Sequence, residues 1–109
     1  SLDSAYFGNC IIYGNINDEL GLDRFSESSI FNYKFDHCII KTNLNISNTN
    51  YFTSVINSDP LFIDNSTVNY NILANSPAVN AGKHLNILND ILGNNRDAMP
   101  DIGAYEYVP

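Results

Sequence analysis

Apolar and aromatic residues along this chain come in short runs, each bounded by Asn, Ser, Asp, Gly or Pro. Residues 6–13, 30–40, 51–56, 61–63 and 69–73 are short and rich in aromatic and β-branched side chains, so each is predicted to be a strand. Only residues 85–92 carry apolar side chains at helical spacing: Leu85, Leu88 and Leu92, with Ile87 and Ile91 alongside. Three Asn or Asp residues interrupt that stretch, which leaves one short helical turn or a plain loop.

Two of the runs carry the same text. Cys10-Ile11-Ile12 is followed by Asn15, Cys38-Ile39-Ile40 is followed by Asn43, and Phe7 answers Phe35, all displaced by one fixed interval. Repetition at a period of roughly 20–50 residues is the signature of stacked structural repeats. Short strands punctuated by Asn-rich turns then predict a parallel β-helix, in which equivalent positions lie about 4.8 Å apart. Asn15 over Asn43 and Cys10 over Cys38 would form ladders. In-register side chains point the same way, so their Cβ atoms tend to exceed the roughly 3.8 Å that a disulfide prefers. Two reduced thiols are expected, with one disulfide as the other reading. A hairpin-based β-sandwich is the alternative fold, although no Asn-Gly, Asp-Gly or Gly-Gly lies between strand candidates.

Composition narrows the function. The 109 residues have room for one domain. A net charge of −7 argues against a nucleic-acid binder, which needs Lys and Arg to neutralise phosphates. No run of 18 apolar residues is present, so no membrane span is expected. Charged residues make up only 16%, and 18 Asn fill the shortfall. That polar, weakly charged surface suits an extracellular or cell-surface protein, with any signal peptide lying upstream of this sequence.

The second half holds the most specific motifs. Asp59-Pro60-Leu61-Phe62 is followed by Tyr70-Asn71-Ile72-Leu73, by Ser76-Pro77-Ala78-Val79-Asn80-Ala81-Gly82, and by Asp90-Ile91-Leu92-Gly93-Asn94-Asn95-Arg96. The chain closes on Asp101-Ile102-Gly103-Ala104-Tyr105-Glu106-Tyr107. In this order the motifs resemble the C-terminal end of the right-handed parallel β-helix proteins secreted by bacteria, many of them Bacteroidetes-like, in the pectate-lyase-like superfamily. Asn80 departs from the Asp usual there. The resemblance implies an all-β fold, a right-handed parallel β-helix, of which this chain would hold the last two or three coils plus a C-terminal cap. Residues 1–60 would form the coils and 61–109 the final strands and cap.

The resemblance also implies that the parent protein binds or processes polysaccharide, since relatives include polysaccharide lyases, glycoside hydrolases and adhesins. For this chain a structural, non-catalytic role is expected. A carbohydrate-binding module using outward tyrosines, Tyr6 and Tyr13, is the alternative, and a part of a lyase or hydrolase is the second. Arg96, flanked by Asp90, Asp101 and Glu106, is read as the planar donor that ties the final loop to the last strand. The one mixed cluster of titratable groups, Lys34-Phe35-Asp36-His37, is split by strand alternation, which puts His37 on the face opposite Lys34 and Asp36. No metal site is expected; calcium is conceivable from the many oxygen ligands, but no Asp-x-Asp-x-Asp-Gly loop exists. A cut first coil would leave an apolar, unpaired edge and drive self-association.

Overall fold

A computed structural model of the chain describes residues 4–20, 32–64 and 69–108. Its strands are β1 (Ser4–Gly8), β2 (Ile11–Ile12), β3 (Asn32–Asp36), β4 (Ile39–Ile40), β5 (Phe52–Thr53), β6 (Phe62–Asp64) and β7 (Asn69–Ile72). They form three small sheets, in the orders β1-β3-β5, β2-β4 and β6-β7. No helix occurs among the described residues. Residues 85–92 form a loop that leaves Ile87, Leu88, Ile91 and Leu92 exposed.

The sequence repeat is expressed as parallel pairing. Phe7 pairs with Phe35, Ile11 with Ile39, and Ile12 with Ile40. A third rung, not apparent from the Cys-Ile-Ile text, pairs Phe52 with Phe35 and Ile56 with Ile39. Every rung breaks once, at Asn9, His37 or Ser54, where φ is 54°, 56° and 53°. These corners divide the first two predicted runs into β1 and β2 and into β3 and β4; residues 30 and 31 lie outside the described residues. A left-handed non-glycine residue costs about 1–2 kcal/mol. Bonds between rungs hold the corners there: Asn9 N–H donates to Asp36 O at 3.1 Å and His37 N–H to Thr53 O at 2.8 Å.

Alternation along β2 and β4 feeds two cores, one on each side of the ribbon. On one side Cys38 and Ile40 are buried with Phe35 and Phe52, and Cys10, Ile12, Leu20 and Tyr33 pack against them. The rings of Phe7, Phe35 and Phe52 stack there, with centroids 4.8 and 5.7 Å apart and planes 11° and 12° from parallel. On the other side Ile39 is buried with Ile72, Ala78 and Ile102, and Ile11, Ile56 and Phe62 pack around them. The C-terminal segment closes this second core: Ile102 N–H donates to Ala78 O at 2.9 Å, and Gly82 N–H to Pro100 O at 2.8 Å. Ile39 and Ile40 are both fully buried, each worth about 1.5–3 kcal/mol of transfer free energy.

This is not the expected right-handed parallel β-helix with terminal coils and cap. The strands are two to five residues long, the sheets are small, and the sheet set mixes parallel with antiparallel pairing. Rung formation stops after Ile56. Pro60 lacks an N–H to donate, Leu61 takes a φ of 57°, and β6 turns back on β7 in an antiparallel pair. That hairpin forms without Asn-Gly, Asp-Gly or Gly-Gly. Residues 73–108 are largely irregular, and Ala78, Ile102 and Tyr107 among them pack on the outer side of the β2–β4 ribbon. No helix in the described residues is long and apolar enough to cross a membrane.

Candidate functional site

The corner at His37 creates the densest polar cluster on the rungs. Its positive φ reverses the alternation expected from the sequence, so the imidazole turns back towards its neighbour, and Nδ1 lies 2.6 Å from Asp36 Oδ1. Asp36 is buried, 5% exposed, in spite of its charge. Its other oxygen accepts the Tyr6 hydroxyl at 2.7 Å and Lys83 Nζ at 3.1 Å. Burial pushes this carboxyl upward, but hydrogen bonds from Tyr6, His37 and Lys83 outweigh it and hold the group at about 2. The same bond to Asp36, with burial, drives the Tyr6 phenol up to about 12. Lys34, adjacent in sequence, is not part of the cluster; its Nζ donates to Thr49 O at 2.8 Å. Lys83 replaces it, and no spacing in the sequence announces that partner.

Asn9 fixes Lys83 in place. Its Oδ1 accepts the Lys83 N–H at 2.7 Å, its Nδ2 donates to Lys83 O at 2.6 Å, and its own carbonyl accepts the Gly103 N–H at 2.8 Å. The first corner is therefore the point where the C-terminal segment is fastened to the rungs.

Beside Asn9 opens a cleft of about 650 Å³ between the β2 edge, the β6–β7 hairpin and the C-terminal segment. Tyr13, Phe62, Tyr70 and Tyr105 line it, with Ile11 and Ile102 contributing apolar surface. None of its lining residues is charged. Phe62 and Tyr70 meet edge to face with centroids 5.0 Å apart. Lys41 holds one side of Tyr13, its Nζ 4.9 Å from the ring centroid. Of the two tyrosines singled out in the sequence, Tyr13 therefore borders the cleft, whereas Tyr6 belongs to the Asp36 cluster. Phe62, Tyr70 and Tyr105 lie far from Tyr13 in the chain, and no local pattern joins them to it.

Cys10 and Cys38 are both unpaired by disulfide. The Cys10 thiol donates to Gly8 O at 3.3 Å, and Cys38 to Phe7 O at 3.4 Å. The neighbouring Cys10 thiol, with burial, raises Cys38, and the neighbouring Cys38 thiol lowers Cys10. Asn15 and Asn43 are exposed and make no bond to each other. Asn43 N–H instead donates to Asp18 Oδ1 at 3.3 Å.

Arg96, Asp90, Asp101 and Glu106 come together in one network. Arg96 Nη1 reaches Glu106 Oε1 at 2.5 Å and Asp101 O at 3.2 Å, and Nη2 reaches Gly103 O at 3.0 Å. The Asp101 carboxylate accepts Asn80 N–H at 2.7 Å and Tyr107 N–H at 2.6 Å instead of facing the guanidinium. Asp90 accepts the N–H groups of Leu92, Asn94 and Glu106. Its carboxyl is pushed up by burial but pulled further down by these donors, so the net shift is downward. Burial raises Glu106. Among the described residues no three His, Cys, Asp or Glu side chains converge as metal ligands.

No protein-family model matches this sequence, and no curated protein matches it.

Proposed function

We propose that this chain is a binding module for a neutral carbohydrate chain, working outside the cell. The observation that carries the reading is the cleft of about 650 Å³ walled by Tyr13, Phe62, Tyr70 and Tyr105 with no charged group in its lining. Its volume is in the range of small-molecule sites, and aromatic walls with few polar groups are what such sites use. Ring faces pack against the apolar C–H faces of sugars while hydroxyls remain at the open side. A uronate would bring its carboxylate to an uncharged wall on a chain of net charge −7, so an acidic glycan fits poorly. The weakly charged, Asn-rich surface agrees with an extracellular setting.

Isothermal titration against neutral and uronate oligosaccharides tests the proposal. Saturable binding to a neutral glycan is expected, and Tyr13→Ala or Tyr105→Ala each weakens it about tenfold, equal to about 1.4 kcal/mol. Tyr6→Phe, outside the cleft, leaves affinity unchanged. Absence of binding to every neutral glycan, or binding indifferent to both cleft substitutions, overturns the reading.

A further inference from the structure

Cys10 and Cys38 hold the same place on adjacent rungs, each directly after a corner residue, Asn9 or His37. Ile11 pairs with Ile39, and Ile39 N–H donates to Cys10 O at 2.9 Å, so the two cysteine backbones are neighbours. Parallel rungs set such Cα atoms about 4.8 Å apart, inside the roughly 4.4–6.8 Å that a disulfide spans. The third rung has Val55 at this place, so each thiol has one thiol partner among the described residues.

The side chains also converge. Cys38 Sγ reaches across to the first rung and donates to Phe7 O at 3.4 Å, and Cys10 Sγ donates to the next carbonyl of that strand, Gly8 O, at 3.3 Å. Both serve one apolar core: Cys38 is buried in it with Phe35 and Ile40, and Cys10 packs against it. Each thiol is the first influence on the acidity of the other, Cys10 being lowered to about 7 and Cys38 raised. They differ in access. Cys38 is 0% exposed, whereas Cys10 is half-buried, directly before a strand with no sheet neighbour on its outer side among the described residues.

We propose that Cys10 and Cys38 form a redox site, which hydrogen peroxide closes reversibly into a disulfide between the first two rungs. The Cys10 thiolate attacks one peroxide oxygen; an S–O bond forms, the O–O bond breaks, and the released hydroxide takes up a proton to become water. The Cys38 sulfur then attacks the Cys10 sulfur. The S–S bond replaces the S–O bond, and the Cys38 proton leaves with the departing hydroxyl as water. Two thiols and one peroxide become one disulfide and two waters, the sulfurs being oxidised and the peroxide oxygens reduced. In-register Cβ atoms must close by about 1 Å from the rung spacing to bridge, and a bond made under that tension is readily reduced again. The reduced pair is therefore the resting form. The oxidised pair is a covalent clamp where backbone hydrogen bonds and packing alone join the two rungs. This site does not rest on the carbohydrate reading.

The test exposes the reduced 109-residue protein to hydrogen peroxide, quenches it, alkylates it under denaturing conditions and maps the peptides by mass. Both thiols should escape alkylation together, with a Cys10–Cys38 cross-linked peptide in a monomer about 2 Da lighter. Closing a loop of roughly 30 residues should raise the melting temperature by about 5–15 °C, and dithiothreitol should restore the starting value. Cys38→Val, which takes the side chain the third rung already uses, leaves Cys10 as a sulfenic acid that dimedone traps about tenfold more than in the wild type. Cys10→Val slows oxidation of the buried Cys38 about tenfold or more. Two alkylatable thiols after peroxide treatment of the folded wild type overturn the proposal. So do oxidation to sulfinic acid without the cross-link, a cross-link found only between molecules, or equal dimedone labelling of wild type and Cys38→Val.

Discussion

Replacing Arg96 by methionine breaks the buried ion pair that ties the loop before Asp101 to the C-terminal segment. The side chains of Arg96 and Glu106 are only 10% and 8% exposed. Methionine restores most of the packing volume but leaves the carboxylate with one remaining donor among the described residues, Asp101 N–H at 2.7 Å. Removing one partner of a buried ion pair costs about 3–5 kcal/mol, because the other charge stays buried. The hydrogen bonds to Asp101 O and Gly103 O are lost with the same guanidinium. For a chain of this length the loss lowers the melting temperature by roughly 12–20 °C at about 4 °C per kcal/mol. Burial already raises the Glu106 carboxyl, and losing Arg96 raises it further. A group raised in the folded state is favoured when protonated, so the deficit of the variant narrows as pH falls from 7 towards 5. Adding Glu106→Gln removes the stranded charge and restores more than half of the loss. Calorimetry on the four proteins of this cycle supplies the numbers. A fall below about 4 °C for Arg96→Met, or no recovery in the double variant, refutes the reasoning.

Two further outcomes follow from the rungs. Asp36 sits at about 2 in the folded protein against an ordinary 3.8, so it contributes about 2 kcal/mol above pH 4 that is lost as pH falls through 3.8 towards 2. Melting temperature measured between pH 2 and 6 should show that acid limb, and Asp36→Asn should flatten it. Phe35→Ala should cost about 3–5 kcal/mol by urea denaturation, because the ring is 2% exposed and stacked on both sides, whereas Phe7→Ala, 39% exposed at the end of the stack, should cost clearly less; equal losses would show that the stack is not graded by burial.

Local pattern is legible where it is expressed locally. Phe7, Cys10 and the two isoleucines point to their second copies in the sequence, and the structure pairs Phe7 with Phe35 and the isoleucines with Ile39 and Ile40 in register. The third rung keeps the same Phe-to-Ile spacing, from Phe52 to Ile56, but has Val55 in place of cysteine and follows after a shorter interval, so a search for the cysteine text passes over it. The wider architecture is not legible, since nothing in short apolar runs says where stacking ends. At Pro60 and Leu61 the missing donor and the left-handed turn send the chain into a hairpin, and small mixed sheets form where the repeat implies a solenoid. Strand alternation splits the Asp36 cluster only if the strand is unbroken; a single positive φ at His37 removes that condition. Lys83 and the four cleft rings are long-range neighbours, and one sequence holds no signal for them.

The rungs also set where this chain can change length. Successive residues of β2 and β4 serve opposite cores, so inserting one residue inside a rung would exchange the contents of both cores at once. Between rungs the constraint vanishes: the stretch from Phe7 to Phe35 is much longer than the stretch from Phe35 to Phe52, yet the three phenylalanines pair in the same register. Insertions and deletions in descendants of this sequence should therefore gather in the stretches after Ile12 and after Ile40. The spans from Phe to Ile within each rung should keep their length even where their letters drift.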